Sequence, residues 1–398
     1  MKLKSTLIAA AALTALSTAA SAVDWGGYVR VGPGQKENSG DGKRCFDGGG
    51  VAGGGSAAPG HGGLGRLGNE CHTYGEFALS HGVKAGGVDY KATLMTNFGS
   101  PGGSNANGLT QATQQIYIEG KGYDIAPNQT FWIGERFYHR ADVHFDDSFY
   151  INMSGTGAGV DGIKVAGATL GVALFRKDDA AAGGNPGSRL NVDLEGLNVN
   201  PGGKLRLTVA YTSFSGTLGE TGTGLSLQHN QSGILGGDNV LWVQTARGSA
   251  ATNMGFGTGT NGSGHKSFRI ADSLSWTTGP LTAQTLIHFG KSEAPAVGGG
   301  TVSVKTTSVG GRLGYAVSKN FKIQGELGTA NTKPDGAAKQ SVTKFTIAPT
   351  LTVGPNYYDR PELRFYVSTF SMNDAYAAAN GQTKKSKSAV GFQAEVWF

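Results

Sequence analysis

The chain has 398 residues, with 34 Lys and Arg against 28 Asp and Glu, a net charge of +6 and a hydrophobic content of only 38%. No basic run indicates a nucleic-acid partner, and after the N-terminus no stretch approaches the roughly 18 apolar residues of a membrane-spanning helix. Helical membrane proteins are thereby excluded. The remaining way to span a membrane is a closed β-barrel, in which only the lipid-facing half of each strand must be apolar.

The N-terminus has the three parts of a secretory signal peptide. Lys2 and Lys4 precede an apolar run from Leu7 to Ala20, which ends in the small-residue sequence Ala20-Ser21-Ala22. A run this short is typical of a cleaved signal and not of a membrane anchor. We therefore predict a signal peptide over residues 1–22 and one mature domain over residues 23–398, whose net charge falls to +4 with the loss of two lysines.

Polar and apolar side chains alternate along the first two predicted strands. From Asp24 to Val31, Tyr28 and Arg30 share a face opposite mostly apolar residues. The stretch from Arg66 to Leu79 has the same period of two, which is the period of a strand. Its mixed face carries Arg66, Glu70, His72, Tyr74 and Glu76. These mixed faces are predicted to look into a wet barrel interior.

Cys45 lies between these two predicted strands and Cys71 lies within the second, and they are the only cysteines of the chain. An exported protein reaches an oxidising compartment, so we predict a Cys45–Cys71 disulfide that closes a glycine-rich external loop. Such closure restricts the unfolded chain by about 3 kcal/mol on the entropy account. No second Cys or His pair stands at ligand spacing, so no metal site is predicted.

The segment from Phe131 to Gly159 is the densest concentration of charged and aromatic residues. An irregular charged segment cannot face lipid, so we predict a constriction loop folded into the barrel. His144 and Ser148 could be drawn as a catalytic dyad, but no nucleophile-elbow sequence accompanies them. His139 and His144 with nearby aspartates match no strong metal-ligand motif. The chain is accordingly predicted to be no enzyme, with no catalytic residues, cofactor or metal.

Alternation continues to the C-terminus. It is clear over 88–98, 204–213 and 344–353, and in the last nine residues Trp397 shares a face with a glutamate and a glutamine. At about 10 residues per strand plus a turn, the mature chain accommodates roughly 16 to 18 strands. We predict an all-β transmembrane fold, a closed antiparallel barrel wide enough for an aqueous channel.

Seven short motifs in order give the chain a family resemblance over nearly its whole mature length. They are VDWGGYVR (23–30), RLGNECHTYGE (66–76), RFYHRADVHFDDSFY (136–150), SGTGAG (154–159), NPGG (200–203), YDRP (358–361) and the final AEVWF. In these the chain resembles the maltoporin family of carbohydrate-selective outer-membrane porins. The resemblance implies a homotrimer of 18-stranded barrels in the bacterial outer membrane, each with an inward-folded third loop.

The resemblance also implies a substrate path for the facilitated diffusion of maltose, maltodextrins or other oligosaccharides, with a disaccharide or oligosaccharide and outer-membrane lipid as partners. The aromatic row would be Tyr28, Tyr74, Phe149, Tyr358 and Trp397. The polar lining would be Arg30, Arg66, Glu76, Arg140, Asp142, His144 and Asp147. Strand alternation independently assigns Tyr28, Arg30, Arg66, Tyr74, Glu76 and Trp397 to mixed faces.

The chain departs from the family pattern at four places. Phe149 stands where the family has a tyrosine, Gln114 replaces an arginine, and residues 101–110 offer no tryptophan for a neighbouring subunit. The phenylalanine expected midway along the row falls near Gly237, and Trp242 is the candidate substitute. These departures weaken the case for long maltodextrins more than the case for sugar passage. The alternative is a general-diffusion or weakly anion-selective porin without a saturable sugar site.

Overall fold

A computed structural model describes residues 23–32, 35–37, 64–70, 73–99, 110–177, 187–214, 220–257, 264–296 and 298–398. The predicted signal peptide (1–22), the predicted cysteine pair Cys45 and Cys71, and His72 lie outside these residues. Within the described ranges, none of the helices has the length and apolar character needed to traverse a bilayer.

The described residues form twenty-one strands and one short helix. The strands are β1 Asp24–Val31, β2 Gln35–Glu37, β3 Tyr74–Ala85, β4 Val88–Gly99, β5 Thr110–Tyr123, β6 Ala126–Arg136, β7 Ala141–Val143, β8 Ser148–Ile151, β9 Gly155–Val165, β10 Ala168–Lys177, β11 Gly187–Asn200, β12 Gly203–Phe214, β13 Gly222–Ile234, β14 Gly237–Arg247, β15 Lys266–Thr278, β16 Leu281–Pro295, β17 Thr301–Ser318, β18 Phe321–Pro334, β19 Gln340–Thr352, β20 Glu362–Met372 and β21 Ser386–Trp397. The helix, α1, spans Asp374–Ala379 between β20 and β21.

Eighteen strands close into one antiparallel barrel, as predicted. Each wall strand pairs with its neighbour, and β1 closes the barrel against β21 with Tyr28 opposite Trp397. Of the three short strands, β2 continues β1 along β21 in the same sheet, whereas β7 and β8 pair with each other in a separate two-stranded sheet. In a closed barrel each wall strand is paired on both sides. An unpaired strand edge in hydrocarbon would leave backbone N–H and C=O groups without hydrogen-bond partners.

The predicted alternation of side chains is present in the wall strands. On β19, Phe345 and Ile347 are exposed on the outside, whereas Lys344 and Thr346 are fully buried on the inside. On β21, Phe392 points outward and Glu395 inward. An apolar outer face and a polar inner face are what a barrel between lipid and water requires.

The two ends of the barrel differ in the length of their connections. At one end, most strands are joined by two-residue turns such as Gly86-Gly87, both with positive φ, which glycine adopts without a Cβ clash. We call this the short-turn end and the opposite one the long-loop end. One connection departs from the rule: residues 353–361, between β19 and β20 at the short-turn end, form a longer segment.

The connection between β6 and β9 folds into the barrel, as predicted for a constriction loop. It spans residues 137–154, because Phe131–Arg136 belong to β6 and the residues from Gly155 onward belong to β9. Its β7–β8 hairpin packs Phe145, Tyr150 and Ile151 against the inner wall, where all three are fully buried. The loop therefore fills part of the lumen from within.

Residues 64–70 also lie inside the barrel, which corrects two expectations. The Lys344 ammonium donates to the carbonyl oxygens of Gly65 and Leu67 at 2.6 and 2.7 Å, and the Leu67 amide donates to Glu326 at 2.9 Å. This part of the first long connection is thus internal, although the connection was predicted to be external. It is also a loop and not a strand, since β3 begins only at Tyr74. The buried lysine supplies the partners that the loop backbone needs away from water.

Candidate functional site

A cavity of about 620 Å³ lies between the barrel wall and the 137–154 loop. It brings together most of the residues singled out from the sequence. Its lining includes Tyr28, Arg30, Arg66, Tyr74, Glu76, Arg140, His144, Asp147, Phe149 and Trp397. Tyr358 and Asp142, which were predicted with them, do not line it. Asp142 instead lies on β7 with its side chain exposed.

Three aromatic side chains form a row along the seam where the barrel closes. Tyr74 is the first residue of β3 at the long-loop end, and its ring centre lies 6.2 Å from that of Tyr28 on β1. Trp397 is directly opposite Tyr28 and is the last residue of β21, at the short-turn end. The three rings therefore stand on three adjacent strands, β3, β1 and β21, on the inner face of the seam.

Tyr358 continues this row beyond the cavity. It lies on the 353–361 segment, and its ring centre is 5.6 Å from that of His144. The Trp397 ring centre is 5.7 Å from the same histidine, so His144 lies in contact with both aromatic rings. Its hydroxyl accepts a hydrogen bond from the Gln284 amide at 3.0 Å, and the side chain remains 48% exposed. The ring is thus held in place and remains partly exposed.

Buried ion pairs fix the tyrosine at the centre of the row. The Arg66 guanidinium donates to the Tyr28 hydroxyl and contacts Glu395, both at 3.0 Å, and donates to Glu70 at 3.0 Å. Arg30 contacts Glu70 at 2.6 Å. Because each buried charge has a partner of opposite sign, the desolvation cost of the cluster is offset. The alternation of side chains had predicted that Arg66 lies on a strand. In the structure, Arg66 reaches this position from the 64–70 loop segment instead.

His144 lies between two arginines. Its Nδ1 atom is 3.1 Å from a guanidinium nitrogen of Arg66, and its Nε2 atom is 3.0 Å from one of Arg360. Burial and the charges of Arg66 and Arg360 hold the pKa of His144 well below its usual range, against an opposing effect of Glu395. The ring is therefore neutral, and only one of its two nitrogens can accept a hydrogen bond.

Arg140 projects from the 137–154 loop between two phenyl rings. Its guanidinium carbon is 4.1 Å from the ring centre of Phe137 and 4.0 Å from that of Phe149. Stacking of this kind is favourable for a cation over an aromatic face and leaves the N–H edges free to point elsewhere. Phe149 thus has a structural partner even though it lacks the tyrosine hydroxyl.

Comparison with known proteins identifies the family. The LamB porin family model matches residues 23–398. The chain belongs to the LamB porin family. A maltoporin of Hahella chejuensis is 27% identical over 412 residues, covering 98% of this chain and 96% of the relative. A maltoporin of Vibrio cholerae is 27% identical over 438 residues, covering 100% of both chains.

Among solved structures, OccAB1 of Acinetobacter baumannii shares the fold with a TM-score of 0.53 at 10% identity, covering 94% of this chain and 96% of that one. The protein is accordingly a bacterial outer-membrane β-barrel porin, a channel and not an enzyme. The short turns of such barrels face the periplasm and the long loops face the exterior.

Sequence reasoning missed two residues of this porin that hold the site together. The Arg360 guanidinium stacks 4.3 Å from the Trp397 ring centre and also contacts Glu395 at 2.9 Å. Arg360 belongs to the YDRP motif, and Glu395 shares the inward face of β21 with Trp397, so both signals were present in the sequence. What could not be seen was that the 353–361 segment brings Arg360 back to β21.

Trp242, the candidate substitute in the aromatic row, has a different role. Its side chain faces the inside of the barrel, as its alternation allows, but it is only 2% exposed. It stacks on Tyr150 of the 137–154 loop, with ring centres 4.6 Å apart and planes 18° apart. Trp242 therefore supports the loop and does not line the cavity.

The geometry of the porin also bears on the two alternatives weighed from the sequence, a His144–Ser148 catalytic dyad and a histidine–aspartate metal site. The Ser148 hydroxyl donates to Asp146 at 2.7 Å, while both nitrogens of His144 face arginines, so the two residues do not form a dyad here. His139 lies within 2.5 Å of Asp193, but Arg206 already contacts that carboxylate at 2.9 Å. This group ties the 137–154 loop to the wall, and the arginine charge works against a metal cation there.

Proposed function

We propose that this porin carries saccharides across the outer membrane by facilitated diffusion, with stepwise binding along Tyr74, Tyr28 and Trp397. The observation that carries the proposal is that these three rings share one cavity with charged side chains. The three rings stand on adjacent strands at the seam, and charged groups stand beside them in the same cavity.

The chemistry of the row suits a sugar ring. A pyranose has an apolar C–H face that packs on an aromatic ring and a belt of hydroxyls that accepts and donates hydrogen bonds. Arg140 and Arg30 would donate charge-assisted hydrogen bonds to that belt, and Glu76 would accept them from it. Flux requires binding that is divided over several weak sites, so that a sugar can enter and also leave. A row of separate rings satisfies this condition.

The length of the row favours short saccharides. The row has three rings in the cavity, since the Phe149 ring that also lines it is stacked under Arg140, Tyr358 lies outside the lining, and Trp242 is covered by the loop. We therefore propose disaccharides and short oligosaccharides as the main substrates. The relatives named maltoporin make maltose and short maltodextrins the first candidates to test.

The assembly is proposed to be a homotrimer in outer-membrane lipid, on the strength of the family resemblance. Chemical cross-linking of the detergent-solubilised protein, followed by electrophoresis, tests this directly. A ladder that ends at three copies supports the trimer, and a protein that stays at one copy at every cross-linker concentration contradicts it.

Planar-bilayer conductance tests the proposed function. Maltose, maltotriose and sucrose are titrated onto a membrane that contains the purified porin. A saturable decrease of the ion current indicates a sugar site, with half-closing concentrations that rank the substrates. A current that stays unchanged at every concentration of all three sugars would contradict the proposal and favour a general-diffusion channel.

A further inference from the structure

A row of basic side chains crosses five neighbouring strands on the outside of the barrel. It consists of Arg247 on β14, Lys266 on β15, Lys291 on β16, Lys305 on β17 and Lys333 on β18, and we call it the basic rim. Arg247 is directly opposite Lys266. Lys291 is directly opposite Lys305, and Lys305 directly opposite Lys333.

The basic rim lies on the lipid-facing side, just above the apolar band. Each member has the same alternation as exposed outward residues of its own strand, for example Lys305 with Val309 and Lys266 with Ile270. The next outward residue below Lys266 is Phe268, which is exposed and typical of the interface between membrane and water. All five members stand near the long-loop end of their strands, which is the external end.

The charges of the basic rim are poorly balanced by the protein. Like charges directly opposite each other on adjacent strands destabilise a sheet. Glu293 contacts Lys291 at 2.5 Å and is opposite Lys266. Lys305, at the centre of the three facing lysines, makes no hydrogen bond or ion pair with any described residue. An anion from outside the chain would relieve this repulsion.

A groove runs below one end of the basic rim. It has a volume of about 390 Å³, and its wall includes Val209 and Leu225 from the apolar band. Arg247 and Lys266 also line it, at the upper end. An apolar groove that ends at two cations matches a molecule with a hydrocarbon chain below an anionic head.

We propose that the basic rim binds the phosphate groups of a phosphorylated glycolipid of the outer leaflet, with one acyl chain in the groove below Arg247 and Lys266. Lysine and arginine bind phosphate oxygens through charge-assisted hydrogen bonds. Several cations near a membrane surface act together on an anionic lipid. This surface is separate from the sugar cavity, so the proposal does not depend on the transport function.

Binding of bis-phosphorylated lipid A to the purified porin in detergent tests the proposal, measured by native mass spectrometry or by microscale thermophoresis. The test variant carries Lys291→Gln, Lys305→Gln and Lys333→Gln together. The control variant carries Lys84→Gln, Lys164→Gln and Lys319→Gln, which remove the same charge near the short-turn end. The test variant is expected to bind lipid A on the order of a hundredfold more weakly, and the control variant within about twofold of the wild type.

A single Lys305→Gln variant keeps the test decisive if the triple variant does not fold, and it should weaken lipid A binding about fivefold. Preference for bis-phosphorylated over dephosphorylated lipid A in the wild type supports phosphate recognition. The proposal is overturned if the rim variants bind lipid A like the wild type, or if phosphatidylglycerol competes equally well. It is also overturned if the rim variants change the number of associated copies without changing lipid binding, since the rim would then be a contact between copies.

Discussion

Tyr28 and Trp397 are directly opposite each other on the two strands that close the barrel. One belongs to the first described strand and the other to the last, so the centre of the aromatic row exists only in the closed barrel. Tyr28 is fixed through its hydroxyl, which contacts Arg66 and Glu395, whereas Trp397 is held by the stacked guanidinium of Arg360.

Trp397→Ala should weaken sugar block of the ion current by roughly two- to tenfold, since a stacked aromatic contact contributes about 0.5–1.5 kcal/mol. The matched control is Trp25→Ala, which removes a tryptophan that is 69% exposed on the lipid face of the same seam. That variant should leave the half-closing concentration unchanged. Equal sugar block in the wild type and in Trp397→Ala would remove Trp397 from the substrate path.

Arg140→Ala should weaken sugar block by about tenfold or more, because it removes charge-assisted hydrogen bonds to sugar hydroxyls. Arg140→Lys keeps the charge but loses the planar group that stacks on Phe137 and Phe149. Compared with Arg140→Ala, the Arg140→Lys variant should restore the ion selectivity of the wild type but not its sugar block. If Arg140→Lys restores both, the charge alone matters and the stacked geometry does not.

Lys344→Met should release the 64–70 segment from the wall. Lys344 is 0% exposed and binds two carbonyl oxygens of that segment as well as Glu326, so the free energy of unfolding should fall by about 3–5 kcal/mol. Single-channel conductance should rise as the lumen widens, and sugar block should weaken as Arg66 moves.

The control for that variant is Lys322→Met. Lys322 is equally buried and pairs with Glu362 at 2.7 Å, but its contacts are with the 353–361 segment and the wall. It should lower stability without a comparable rise in conductance. The same conductance change in both variants would show that loss of stability, and not release of the 64–70 segment, widens the channel.

The 137–154 loop should become less stable in acid because of His144. The pKa of His144 is held below its usual range in the folded state, so the unfolded chain binds the proton more readily. Stability contributed by this histidine is therefore present above about pH 6.5 and is lost as pH falls from there toward the folded pKa.

Current noise and sugar block, recorded at about pH 7.5 and about pH 5, measure this effect. His144→Gln should reduce the difference between the two conditions, whereas His265→Gln, in a connection at the long-loop end, should keep it. An unchanged pH response in His144→Gln would assign the effect to carboxylates of the cavity instead.

Reduction of the predicted Cys45–Cys71 pair should loosen the first long connection and leave the barrel folded. The 64–70 segment has its own anchor at Lys344 and Glu326, so channel conductance should change little. Heat-modifiable migration on electrophoresis and single-channel current, with and without reductant, measure the two effects. Loss of the folded barrel on mild reduction would contradict the prediction.

The barrel wall could be predicted from the sequence because lipid on one side and water on the other impose a period of two on every strand. The seam residues Tyr28, Tyr74 and Trp397 followed from this period together with the family motifs. The interior could not be predicted in the same way. Arg66 was expected in the lumen for the wrong reason, since its loop is held there by Lys344, which is distant in the chain.

The two inward segments are also bonded to each other, because the Arg66 amide donates to the Phe145 carbonyl at 2.9 Å. A residue inserted into or deleted from either segment would therefore shift the other. Attempts to widen this pore for bulkier solutes by trimming the 137–154 loop should alter the charge pattern contributed by residues 64–70 as well, so calibre and selectivity cannot be engineered one at a time.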